Sequence, residues 1–133
     1  MTYFEDLTRY TYQSSSTDAA LNVGWLAASQ PFPTGQVPAE AVHNILRIVL
    51  HDPVNRTRGW HQCDLCADPP YPIRMDVDGT TVTLGDAEIR VRGRDGAVYA
   101  APSLIAHYIV EHDYCPPRAF VAAVSDWSQR DAS

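Results

Sequence analysis

The chain of 133 residues contains no lysine; all ten of its basic residues are arginine. That absence excludes Schiff-base and pyridoxal-phosphate chemistry of the usual lysine-dependent kind, together with any P-loop lysine. Long apolar runs are missing too. None approaches the length that spans a bilayer, and the opening Met1-Thr2-Tyr3-Phe4-Glu5-Asp6 lacks the basic patch and apolar stretch of a secretory signal. The expectation is a cytoplasmic protein, whose three cysteines are available as thiolates rather than tied in disulfides. Positive charge is also scarce, with 16 acidic residues against 10 basic and a formal net charge of −6. The chain lacks the overall attraction to phosphate that supplies most non-specific nucleic-acid affinity, which favours a protein partner over a polyanion. No Gly-x-Ser-x-Gly elbow occurs, and no Gly-x-Gly-x-x-Gly opens a helix; Gly93-Arg94-Asp95-Gly96 reads as a turn.

What remains is a composition, 45% hydrophobic and 20% charged, suited to a globular core. The length fits one domain, residues 1–133, with 128–133 expected to fray. Tyr3 to Tyr12 is aromatic-rich and is expected to lie across the core; Ser14 to Asp18 is a polar loop. Leu21 to Leu26 reads as a short strand, stopped by Pro31-Phe32-Pro33-Thr34-Gly35. Pro38 opens a helix whose buried stripe is Val42, Ile45, Leu46, Val49 and Leu50, and Asp52-Pro53 closes it.

Ile73 to Leu84 predicts a hairpin about Asp78-Gly79, and Ala87 to Ala100 a second one. A helix after Pro102-Ser103 carries Leu104, Ile105, Tyr108 and Ile109 on its apolar side, and another spans roughly Arg118 to Trp127. The sum is an α+β fold, a small antiparallel sheet of two hairpins flanked by three helices.

The chemistry concentrates in two short segments. Gly59-Trp60-His61-Gln62-Cys63-Asp64-Leu65-Cys66 holds two thiols in a Cys-x2-Cys spacing, and His107-Tyr108-Ile109-Val110-Glu111-His112 holds two imidazoles. Cys63, Cys66, His107 and His112 supply the number and type of donors that a tetrahedral Zn²⁺ requires. The order of Cys pair, hairpin and His-bearing helix resembles the Cys2His2 zinc finger. Here, however, 40 residues separate Cys66 from His107, where a finger has about 12–15. Residues five apart on a regular helix also point about 140° away from each other. The two histidines converge only if the helix ends near His112, which Asp113-Tyr114-Cys115-Pro116-Pro117 favours. His61 and Cys115 are the nearest substitute ligands.

Enzyme readings meet specific obstacles. The run from His107 to His112 is one residue longer than the inverted metalloprotease motif His-x-x-Glu-His. Cys63 stands where a zinc deaminase has its glutamate after His61, and no proline precedes the Cys pair. A thioredoxin-like role for Cys63 and Cys66 lacks its βαβ context. The remaining enzyme alternative is a zinc-dependent hydrolase with an open metal position and His61, Glu111 or Asp64 as general base. A second alternative is a nucleic-acid-binding regulator using Arg90 and Arg92, which share one strand face while Ile89 and Val91 take the other. Asp86, Glu88 and Asp95 balance that face, and Arg56, Arg58 and Trp60 add a cationic-aromatic segment before the Cys pair.

The chain is similar to a family of small bacterial proteins that share Leu-Asn-Val-Gly-Trp-Leu (21–26), a Gly-aromatic-His-x-Cys-x-x-Cys knuckle (59–66) and Val-Tyr-Ala-Ala-Pro-Ser-Leu-Ile-x-His-Tyr (98–108). The resemblance covers nearly the full length and implies one intact domain without implying an activity. The expectation is a zinc-stabilised α+β protein, its metal structural, that works as a protein-interaction or regulatory module.

Overall fold

A computed structural model describes residues 3–11 and 19–127 of the chain. In order, the elements are β1 (Ala20–Asn22), α1 (Ala39–His51), β2 (Ile73–Val77), β3 (Thr80–Leu84), β4 (Glu88–Arg92), β5 (Val98–Pro102), α2 (Ile105–His112) and α3 (Arg118–Ser125). The α+β class, the three helices and both hairpins are as expected. The hairpins do not share a sheet, however. β2 and β3 form their own two-stranded ladder, while β5 lies between β4 and β1 in a three-stranded sheet.

The joining of β1 to β5 is parallel, with Ala20 opposite Val98, a pairing that only a long crossover permits. That crossover contains α1, the β2–β3 hairpin and β4, so these elements are enclosed between the two parallel strands in sequence. The expected strand over Leu21 to Leu26 shortens accordingly. Val23 to Leu26 are buried but not paired as a strand, because Gly24 turns the backbone at φ +81. A Cβ at Gly24 would stand 2.7 Å from Ile105 Cδ1, so the turn lets α2 approach the sheet closely. Trp25 completes the corner by donating its ring N–H to the Ala100 carbonyl at 3.0 Å.

The helix α1 begins after Pro38, whose ψ of 139 is extended, and stops before Pro53. Its buried side is Ala41, Ile45, Leu46, Ile48 and Val49, with Val42 and Leu50 half-buried at the margins. This face packs on α2, α3 and both hairpins. Asn44 is a buried polar residue within it, and its side-chain N–H donates to the Val124 carbonyl of α3 at 2.8 Å.

In the β2–β3 hairpin, Ile73, Val77, Val82 and Leu84 face inward. Asp78 and Gly79 both take positive φ, which matches the twist of a two-residue hairpin turn. Arg47 and His43 of α1 clamp the Asp78 carboxylate at 2.8 Å each. Together, Arg47 first, they hold its pKa at about 2. All three side chains are exposed, so the clamp sets register more than it adds stability.

Two expectations are corrected, one towards each end of the chain. The segment from Tyr3 runs along the edge of the core rather than across it. Tyr3, Phe4 and Tyr10 are half-buried, and Leu7 is exposed. Phe4 meets Trp25 edge-on at 5.5 Å. Tyr12, the Ser14–Asp18 loop and the 128–133 tail lie outside the described residues. The last helix ends at Ser125, two residues before the expected Trp127.

Among the described residues no helix is long and apolar enough to cross a membrane. The packing makes one prediction about Gly24. Gly24→Ala should destabilise the protein by about 2–4 kcal/mol, the sum of a positive-φ penalty and displacement of Ile105. Urea denaturation of the variant would measure it, and a loss near zero would show that the corner relaxes freely.

Candidate metal centre

The cysteine segment has no regular secondary structure of its own, so its position depends on what it is docked against. The His61 backbone N–H donates to the Gly85 carbonyl at 2.9 Å, tying the knuckle to the end of β3. Gly85 has φ +103, and a Cβ there would lie 2.7 Å from the His61 carbonyl oxygen. Its own N–H donates to the hydroxyl of buried Ser103, the residue just before α2 begins its cap. Gly85 thus links the knuckle to the base of the histidine helix.

Both histidines come from α2. His107 lies in its first turn, and His112 is its last residue. Asp113 then adopts a left-handed conformation at φ 57, and its N–H caps the helix by donating to the Tyr108 carbonyl. Ending the helix there answers the five-residue spacing, because the ring of His112 swings back toward His107 to a centroid distance of 5.4 Å. Buried Tyr108 and Ile109 pack the other side of the helix into the core, which fixes its rotation.

The four side chains meet at one point. Cys66 Sγ is 3.3 Å from both His107 Nε2 and His112 Nε2, and Cys63 Sγ is 3.4 Å from His112 Nε2. All four donor atoms lie within 4.8 Å of one another and can hold a metal ion. Cys63 and His107 are 2% and 6% exposed, whereas Cys66 and His112 are half-buried. The cluster therefore has a dry side toward the core and a wetter side toward solvent.

Burial shapes the protonation of the inner pair. It pushes the Cys63 thiol up to about 11, with the neighbouring Cys66 thiol adding to the rise. It also lowers the His107 pKa, and the adjacent His112 imidazole lowers it further. A neutral imidazole is already in its ligating form, whereas a buried thiol becomes thiolate only when a cation offsets the charge.

The other sequence candidates fall elsewhere. His61 borders a cavity of about 20 Å³ beside Glu88 and Asp86, too small for a substrate. Cys115 Sγ contacts the Pro116 carbonyl at 3.7 Å and faces Gly35. Neither joins the cluster, so the substitute ligand sets are not assembled. Glu111 and Asp64 are exposed. Arg56 is paired with Asp86 at 2.9 Å, and Trp60 lies edge-on to Tyr71 at 6.2 Å. Gly85 and Ser103 were not visible as site residues in the sequence. A glycine after an apolar strand signals a turn, but not which backbone will approach it.

Fold and site together define an α+β domain whose Cys2His2 cluster can hold a metal ion. The chain belongs to the family described as Domain of unknown function (DUF7919), whose model matches residues 2–125. That span includes all four cluster residues along with Gly85 and Ser103. No curated protein and no solved structure matches the chain.

The docking geometry can be tested at its tightest point. Gly85→Ala should cost at least about 2 kcal/mol of stability, because the close neighbour is backbone and cannot rotate away. It should also weaken cobalt binding to the cluster at least about tenfold by displacing the knuckle. Thermal melts and a cobalt titration would check both, and an unchanged affinity would mean the knuckle is positioned by other contacts.

Proposed function

We propose that Cys63, Cys66, His107 and His112 bind one Zn²⁺ as a closed structural site in a cytoplasmic protein-interaction or regulatory module. The single observation that carries this reading is the convergence of the four donors, drawn from segments 41 or more residues apart. Two sulfurs with two imidazoles favour zinc over the harder, oxygen-seeking Mg²⁺ or Ca²⁺. In an ideal tetrahedron with ordinary Zn–S and Zn–N bonds, the sulfur and nitrogen donors are about 3.5 Å apart. The three S···N separations of 3.3–3.4 Å fit that figure with small adjustment.

Four protein donors fill the coordination shell of zinc, whereas a catalytic zinc keeps a position for water. This supports a structural role over the hydrolase alternative with His61 or Glu111 as base. The charge a bound Zn²⁺ supplies would hold both thiols as thiolates and join the knuckle to α2. The protein-binding part of the reading rests on three exposed apolar side chains. Trp60, Tyr71 and Val110 are 39%, 55% and 49% exposed, and they lie close in sequence to the four ligands. Exposed aromatic rings supply contact area at small entropic cost, which suits recognition of another protein.

Purified chain should contain one zinc per molecule, and the cobalt form should show the thiolate charge-transfer and d–d bands of a tetrahedral site. Cys63→Ser should release the metal and destabilise the fold by at least about 3 kcal/mol, since structural zinc contributes directly to folding. Metal analysis and a thermal melt test both. A wild type that purifies without metal and melts at the same temperature with and without added zinc would refute the proposal.

A further inference from the structure

Away from the cluster, arginine is gathered in one place. Arg90, Arg92 and Arg94 border a cleft of about 490 Å³ between the β4–β5 hairpin and the C-terminal end of α3. Half-buried Trp127 forms part of its wall. This volume falls within the range of about 300–1,000 Å³ usual for small-molecule sites.

The three guanidinium groups are held differently. Arg90 is immobilised: it stacks 4.5 Å over the Tyr10 ring, lies 3.0 Å from a Glu88 carboxylate oxygen and donates to the Ile89 carbonyl. Arg94 bridges the rim to Asp126 at 2.8 Å, but the two side chains are 86% and 44% exposed. Water competes for that pair, so an incoming anion can replace its carboxylate at little cost. Arg92 lies on the same face of β4 as Arg90 and is exposed. Among the described residues no carboxylate lies within ion-pair distance of it.

Charge narrows the choice of ligand. Glu88 balances Arg90, Asp126 engages Arg94, and Asp52 also borders the cleft. The local field is therefore close to neutral, which gives a polyanion little to gain. A single oxyanion that accepts two parallel hydrogen bonds from Arg92 gains from geometry instead.

We propose that this cleft binds a small molecule carrying one terminal oxyanion, phosphate or carboxylate, on a planar apolar body. Arg92 grips the oxyanion in bidentate fashion beside Arg94, and the body lies against Trp127. The site is independent of the metal cluster and stands or falls separately from it.

Calorimetric titration of the full, metal-loaded chain with phenyl phosphate, benzoate, phenol and inorganic phosphate tests this. One or both of the first two should bind saturably, and the tighter of them identifies the oxyanion. Phenol should not bind, and inorganic phosphate should bind at least about tenfold more weakly for want of the ring. Arg92→Ala, at an exposed position, should keep the wild-type melting temperature and lose about tenfold or more in affinity for the tighter ligand. The proposal is overturned if neither aryl ligand binds below about 10 mM. It is equally overturned if Arg92→Ala leaves binding unchanged, or if only a single-stranded oligonucleotide binds.

Discussion

Burying Cys63 and His107 within one cluster is the constraint on which the rest of the structure depends. A thiol and an imidazole removed from water each need a partner, and here they face the half-buried Cys66 and His112 instead of solvent. Such an inward-facing polar group is costly unless it is fully satisfied. Four donors aimed at one point satisfy each other best around a cation.

Two glycines make the arrangement possible. At Gly24 the backbone gives way so that Ile105, the first residue of α2, can settle against the sheet. Gly85 gives way to the backbone of His61, two residues before the first ligand. Between them they set the distance from the knuckle to the helix, and Ser103 joins the two regions through one buried hydrogen bond. The core does the remaining work by fixing α2 in rotation through Tyr108 and Ile109. Precision at the cluster therefore comes from apolar packing at one remove.

Much of this was legible in advance. The periodic stripe of α1 and its proline boundaries, the Asp78-Gly79 turn and the alternation along β4 are local patterns. The donor types and their pairing as Cys-x2-Cys with a later His pair are local patterns too. The parallel pairing of β1 with β5 was not legible, because a three-residue strand carries no mark of a partner that begins at Val98. The separation of the hairpins into two sheets was hidden for the same reason. The arginine face was read correctly as a face. Its occupancy was not, since the Tyr10 ring that covers Arg90 comes from the other end of the chain.

Composition and spacing alone determined that this chain has an α+β fold, lacks lysine chemistry and carries four donors suited to one metal ion. Those properties follow from residue identity and from periodicities within a dozen positions. Only the tertiary structure decided that the four donors meet, that His61 and Cys115 stand apart from them, and that three arginines border a cleft. Meeting in space depends on long-range packing, on which backbones approach at Gly24 and Gly85, and no short window of sequence encodes that choice.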